Sequence, residues 1–495
     1  MYPDIETYKR LSEKGNVIPV YREILADLET PVSAYLKLCE TPSFLFESVE
    51  GGEKWGRYSI IGTSVSKIVM STDREVRVVE KDRGEQTFMV EDPFRFLEEE
   101  FHKFQPAGLD GMPRFFGGLV GYVGYDMVRF FERVPSSEKP GLDVPDMFIM
   151  VPDIILIFDN LSHRMKILSP TLIRDSAETA YREAKEKIDE TINLLSSPVK
   201  KDNPGRKDCS RGFVSSFGPE ETFRAAVQKA KDYVWAGDVV QVVLSQRFET
   251  TCNLAPFDIY RALRVINPSP YMFFIDTGEM QLVGSSPEIL VRLEGRKIIL
   301  RPIAGTRRRG DSEDEDRALE KELREDPKEV AEHIMLVDLG RNDVGRVAET
   351  GSVKVTELMT VERYSHVMHL VSNIEGTLRK GLNAFDLFRS CFPAGTVTGA
   401  PKVRAMEIID ELEPVKRGPY AGAVGYFGLS GNMDTCITIR TIIIRDGRLY
   451  IQAGAGIVAD SEPEREYKET VNKAMGMMKA VEMAESIGGS NVTND

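Results

Sequence analysis

The run "FFGGLVGYVGYDMVRFFE", residues 115–132, restricts the fold more than any other stretch of the chain. Glycines are interleaved there with bulky apolar side chains. In an extended segment the glycines allow another backbone to approach closely, while the bulky residues between them need burial. Such a run demands a close-packed partner sheet, and the partner is expected in the second half of the chain. The two halves then cannot be independent.

Turn-bounded extended runs such as "SIIGTSVSKIVM" and "DIILIFD" fill the first half. The charged periodic run "DSAETAYREAKEKIDETINLL" predicts a helix, which leads into the polar, Pro/Gly/Lys-rich "LSSPVKKDNPGRKDCSRG". This gives an N-terminal region over 1–200, a linker over 201–212 and a C-terminal body over 213–490. Helices are predicted in the second half at 220–235, 313–340, 383–390, 401–412 and 462–483. Strands are predicted at 238–250 and at "YMFFID", "MQLVGSS", "EILVRLEG", "AGAVGYFG", "CITIRTIII" and "RLYIQAG". Tight turns such as "EGRK" and "RDGR" make the pairing largely antiparallel. The expected class is α/β of the α+β type: two stacked, largely antiparallel β-sheets flanked by helices.

Lys and Arg number 64 against 78 Asp and Glu, a formal charge of -14, which argues against a nucleic-acid partner. A small anionic substrate is still compatible, because local cations can reverse the field inside a cleft. The 5 cysteines lack any CxxC, so neither a disulfide framework nor structural zinc is indicated. There is no long uncharged apolar run, and the expectation is a cytoplasmic protein without a membrane partner.

In "EDPKEVAEHIMLVDLGRND", Asp326 is placed to cap a helix and Pro327 to open it. Glu329 and Glu332, three apart, share one face. In "DSEPEREYKETVNKAMGMMKA", Glu466, Glu469 and Lys473 share another. Four carboxylates facing one cleft would need a cation between them, and an all-oxygen set favours Mg²⁺ over zinc. From spacing alone, the same glutamates also fit solvated surface charge, and nothing in the spacing brings the two helices together. Turns that present backbone N–H groups carry Gly305 and Thr306, Thr396 ahead of Lys402, and Gly454 and Gly456. Arg440 is expected inside the strand "CITIRTIII", where its charge needs either a substrate carboxylate or a protein partner. His369, in "VERYSHVMHLVSN", fits a structural histidine, and with no neighbouring nucleophile its chemical role would be that of a proton carrier.

Taken in order, "PIAGTRRRG", "AEHIMLVDLGRNDVGRV", "RYSHVMHLVSNIEG", "FPAGTVTGAPKVRAMEIIDELE", "YAGAVGYF", "DTCITIRT" and "IQAGAGIVADSEPEREYKET" resemble the chorismate-utilising enzymes, above all their anthranilate synthase component I branch. The resemblance implies the chorismate-utilising fold and conversion of chorismate and ammonia to anthranilate and pyruvate. This is the first committed step of tryptophan biosynthesis. It also implies that Glu332 and Glu469 hold Mg²⁺, with Glu329 and Glu466 in support. Gly305, Thr306, Tyr420, Arg440, Gly454, Ala455 and Gly456 match substrate contacts. His369 matches the histidine that assists loss of the ring hydroxyl, and Thr396 and Lys402 line the same cleft. Aminodeoxychorismate synthases place a nucleophilic lysine where this chain has Ala304, and isochorismate synthases a lysine where it has Gln241. Both replacements favour ammonia attack at C2. No cysteine here has the setting of a glutaminase nucleophile, so a separate glutamine amidotransferase subunit is expected, in a heterotetramer. "FLFESVEGGEKWGRYSIIG" resembles the tryptophan-feedback element, giving Glu47 and Ser48, with Pro270, Tyr271 and Met272 from "NPSPYMFFI".

Overall fold

The glycine-rich run finds its partner across the chain. Strand Gly118–Val123 pairs antiparallel with Ala423–Gly428, and Gly121 stands directly opposite Gly425. A Cβ at Gly121 would lie 2.0 Å from the Phe148 carbonyl oxygen, and one at Gly425 would lie 2.1 Å from that of Asp434. Only glycine fits at either position. In this computed structural model, residues 1–48, 57–108, 111–199, 209–210, 212–364 and 367–489 are described. Most of the 201–212 linker, the 49–56 part of the feedback element and His366 lie outside them.

Every pairing between the described strands is antiparallel, and the ladders join into one network. Side-chain alternation sorts them into layers. Val120, Tyr122, Phe148 and Ile155 meet Phe273, Leu282, Val424 and Ile443 in a core whose buried members come from strands and loops alone. The opposite faces carry helices. Leu119 and Val123 pack with Phe385 and Phe388 of helix Ala384–Cys391, and Leu45 and Phe274 share a core with Leu263, Met477 and Val481. Each buried Leu, Phe or Met side chain contributes about 1.5–3 kcal/mol, so these three clusters hold both halves together. Among the described residues no helix is long and apolar enough to cross a membrane.

Three expectations are corrected. The helix predicted over 313–340 is two helices, Glu313–Glu325 and Pro327–Gly345. Pro327 disfavours helical geometry at the preceding residue, and Asp326 is extended (ψ 110°), its carboxylate accepting from the Lys328 and Glu329 amides. The strand predicted over 436–444 is also two, Met433–Ile437 and Thr441–Arg445, so Arg440 stands in the break at φ +51° rather than in a ladder. The first piece pairs with Ile289–Glu294 and the second with Met280–Ser286, and the chain must bend to change partners. Lastly, Cys209 and Cys252 form a disulfide. The backbone bridge between these two residues brings together cysteines that sequence spacing left unrelated.

Candidate active site

The floor of the site is the ladder between strands Gln241–Thr251 and Arg448–Ile457, in which Ser245 faces Gly454, Leu244 faces Ala455 and Val243 faces Gly456. The glycines make room for neighbouring side chains. A Cβ on Gly454 would lie 2.8 Å from the Tyr420 hydroxyl, and one on Gly456 would lie 2.2 Å from Gln241 Nε2. Tyr420 and Gln241 therefore lie against the sheet because no side chain displaces them.

Two acidic helices flank this floor. Gln241 Nε2 donates to Glu332 Oε1 at 3.1 Å. Burial, together with the charges of Glu329 and Glu469, raises the Glu332 pKa, so residues from Pro327–Gly345 and Pro463–Gly489 do sense one another. Burial and the charge of Glu469 likewise raise Glu466. The four carboxylates are not equally placed, however. Arg307 Nη1 lies 3.1 Å from Glu329, and Lys473 Nζ lies 2.6 Å from Glu469 and 2.8 Å from the Gly454 carbonyl oxygen. Among the described residues the side-chain hydrogen-bond partners of Glu332 and Glu466 are neutral, Gln241 and Ser461, with Lys328 and Lys473 acting on them at longer range. Among the described residues no three metal-binding side chains form a ready-made cage.

Arg440 lines the same surface depression as Glu469. It is partly buried, and burial lowers its pKa even though Tyr420 and Glu469 lie near enough to favour the charge. The left-handed backbone it adopts costs a non-glycine residue about 1–2 kcal/mol, the kind of strain kept where a side chain must be aimed. No carboxylate of the described protein pairs with it at ion-pair distance. The Ser285 amide fixes this turn by donating to the Arg440 carbonyl oxygen at 3.0 Å.

A bulge between Ala304 and Thr306 places Thr306 opposite His369. Gly305 takes φ +66°, and a Cβ there would meet Glu329 Oε2 at 3.2 Å. His369 Nδ1 is 3.0 Å from the Gly305 carbonyl oxygen and 3.0 Å from Thr306 Oγ1. A carbonyl only accepts, so Nδ1 carries the hydrogen and Nε2 keeps its lone pair. Burial lowers the pKa of this histidine, which keeps it neutral. Lys402 turns toward the protein, donating to buried Asp343 at 2.7 Å, and so anchors the helix that follows Thr396.

Sequence reasoning missed Glu288. It is buried at the start of strand Ile289–Glu294, beside Thr396 and the Ile303 amide, and burial pushes its pKa up to about 8. Its backbone carbonyl accepts from the Ile437 amide at 3.0 Å. The available signal was an acidic residue set between two apolar strand runs in "VGSSPEILVRL".

A separate cavity of about 740 Å³ is lined by Phe46, Glu47, Ser48, Pro270, Tyr271 and Met272, among others from both halves. Glu47 is held by Tyr260 (2.6 Å) and Arg264 (3.0 and 3.1 Å). Arg292 and Tyr271 both bond to Asp434, at 2.7 and 2.8 Å, giving the cavity a wall with both signs of charge.

Acidic side chains from two helices, a partly buried guanidinium and a glycine floor make up this site. The family model described as a chorismate binding enzyme matches residues 43–479, and the chain belongs to that family. It is 50% identical over 488 residues to anthranilate synthase component 1 of Pseudomonas putida, covering 97% of this chain and 98% of the relative. The Aquifex aeolicus protein of the same name is 49% identical over 490 residues, covering 97% and 98%. The crystal structure of anthranilate synthase component I from Streptococcus pneumoniae TIGR4 aligns with TM-score 0.75 and 38% identity, over 92% of this chain and 98% of that one. Within the chorismate binding enzymes, this chain belongs to the anthranilate synthase component 1 family.

Proposed function

We propose that the chain converts chorismate and ammonia to anthranilate, pyruvate and water, with Mg²⁺ as cofactor. The observation that carries this reading is Arg440: a partly buried guanidinium with no carboxylate at ion-pair distance among the described residues, near Glu469, whose charge also raises the pKa of Glu332 and Glu466. That arrangement suits an anion lodged between the arginine and a divalent cation. The donors fit the ion. Glu466 is buried and Glu332 half-buried, each beside a neutral hydrogen-bond partner, and Glu469 and Glu329 complete an all-oxygen set from the two helices. Bound there, Mg²⁺ would orient and polarise the ring carboxylate.

The protein groups divide the remaining work. Arg440, Tyr420 and the amides of Gly454 and Gly456 hold the enolpyruvyl carboxylate, Ala455 being paired with Leu244 in the ladder, and Gly305 and Thr306 border the ring. In the first stage the ammonia nitrogen bonds to C2, both ring double bonds shift, and the C4–O bond breaks. The departing hydroxyl takes a proton and leaves as water. Glu288, whose pKa burial pushes up to about 8, is the group suited to supply it; His369 holds its hydrogen at Nδ1 and offers a lone pair instead. In the second stage a base removes the C2 proton, for which His369 Nε2 qualifies, and pyruvate departs from C3 as the ring becomes aromatic.

Ammonia comes from a glutamine amidotransferase subunit in a heterotetramer. The two-signed wall of the 740 Å³ cavity suits the carboxylate and ammonium of an amino acid, and its apolar lining suits the indole of tryptophan acting in feedback. Purified protein with chorismate, Mg²⁺ and ammonium salt should develop anthranilate fluorescence; none under these conditions refutes the activity. Ser48→Phe is expected to raise the tryptophan concentration for half-inhibition by roughly tenfold or more while sparing uninhibited turnover. Equal inhibition of both proteins would place the effector elsewhere. Ala304→Lys is expected to slow anthranilate formation and leave a ring adduct on the protein, detectable by intact mass. Undiminished anthranilate output without an adduct would show that side chain 304 does not face the ring.

A further inference from the structure

A charged pair shut away from solvent lies next to Tyr420. Glu413 and Arg417 are each only 2% exposed. Arg417 Nε and Nη2 donate to Glu413 at 2.9 and 2.6 Å. Nη1 donates to the Val397 carbonyl oxygen at 2.7 Å, and Nη2 also donates to that of Val243 at 2.8 Å. Val397 follows Thr396 in its turn, and Val243 faces Gly456 in the floor ladder. The guanidinium carbon lies 4.7 Å from the centre of the Tyr125 ring and 5.6 Å from that of Tyr420. Tyr125 comes from the N-terminal half, and its amide donates to the Gly418 carbonyl oxygen at 2.7 Å. Asp126 accepts from the Gly418 amide at 3.0 Å, so both halves of the chain hold the segment that carries Arg417 and Tyr420.

The carboxylate end of the pair reaches Tyr420 by a second route. Glu413 Oε1 accepts from the Ser245 amide at 2.8 Å and from the Ser245 hydroxyl at 2.9 Å. Gln452 Nε2 donates to the same hydroxyl oxygen at 2.9 Å. The single hydrogen of Ser245 Oγ is thereby committed, so toward the adjoining Tyr420 hydroxyl it can only accept. Burial pushes the Tyr420 pKa up to about 12, and the phenol keeps its proton near neutral pH.

We infer that Arg417 and Glu413 are positioning residues for Tyr420, fixing its ring and leaving its hydroxyl hydrogen free for an anion on the glycine floor. This rests on the activity proposed above, in which Tyr420 helps to hold the enolpyruvyl carboxylate. The Arg417 charge is met by Glu413, so Arg417 is no second anion site and acts through its neighbour. A planar guanidinium reaches a carboxylate and two carbonyl oxygens at once; a lysine ammonium keeps the charge and loses that fixed fork.

The test is a double-substitution cycle of Arg417→Lys with Tyr420→Phe, read as the chorismate Kd by titration calorimetry with Mg²⁺ and without ammonia. Arg417→Lys alone should weaken chorismate binding at least roughly fivefold, within the net worth of one hydrogen bond. In the Tyr420→Phe background no hydroxyl hydrogen is left to aim, and the same change should add less than about twofold. An equal loss in both backgrounds would overturn the inference and leave the pair as a support of the fold alone. Unchanged affinity in Arg417→Lys would overturn it too. If Arg417→Lys fails to fold, Ser245→Ala, which spares the ion pair and cuts its link to the phenol, is read by the same cycle. Absence of chorismate binding by the unaltered protein would refute the proposed activity itself, a result distinct from these.

Discussion

Glu469→Ala should lower kcat/KM for chorismate by roughly 10²–10³-fold, the scale seen when an oriented charge-stabilising group is removed. The loss should be deepest at low Mg²⁺ and partly recovered at high Mg²⁺, because a carboxylate that helps hold the ion is replaced by a methyl. Two neighbours sharpen the expectation. Lys473 bonds to both Glu469 and the Gly454 carbonyl oxygen, so the substitution frees an ammonium beside the substrate floor. Arg440 also loses a nearby negative charge. Glu469 itself lies on the solvent side of its helix, 48% exposed, so thermal stability should change little. Unaltered kinetics at every Mg²⁺ concentration would refute its place in the metal site.

Glu288→Gln should cost roughly 10²–10⁴-fold in kcat, the usual worth of a positioned general acid. Glutamine keeps the shape and cannot release a proton to the departing hydroxyl. The pH profile separates this from a structural effect. On the proposed assignment Glu288 works only while protonated, and because burial pushes its pKa up to about 8 its contribution is expected to fail as pH rises through that region. At constant free ammonia, the unaltered protein should therefore lose activity above pH 8, and the variant should lack that limb. A variant as active as its parent, or one that keeps the alkaline limb, would assign the proton to another group.

What sequence could reveal followed the range of the forces involved. The cap formed by Asp326 and Pro327 was legible because it is settled within four residues, and it delivered Glu329 and Glu332 on their helix correctly. The glycines of 115–132 announced a close partner; that Gly425 is the partner depends on folding the chain across some 300 positions. Arg440 looked like a strand residue because its neighbours are β-branched. The change of partner strand that breaks the ladder there is a tertiary event, and it overrides local preference. Glu288 was overlooked for the same reason. A carboxylate in a short apolar run is unremarkable until its burial beside Thr396 is known. The engagement of Glu329 by Arg307 was equally silent, since helical spacing says which face a side chain shares and nothing about what the next element brings to it.

Chorismate binding measured by titration calorimetry, with Mg²⁺ and again in excess chelator, tests the shared metal most directly. Helices Pro327–Gly345 and Pro463–Gly489 acting through one ion predict that removing Mg²⁺ weakens chorismate binding at least roughly tenfold, and that Glu332→Gln binds weakly in both conditions. Equal affinity with and without the ion in the unaltered protein would contradict that account.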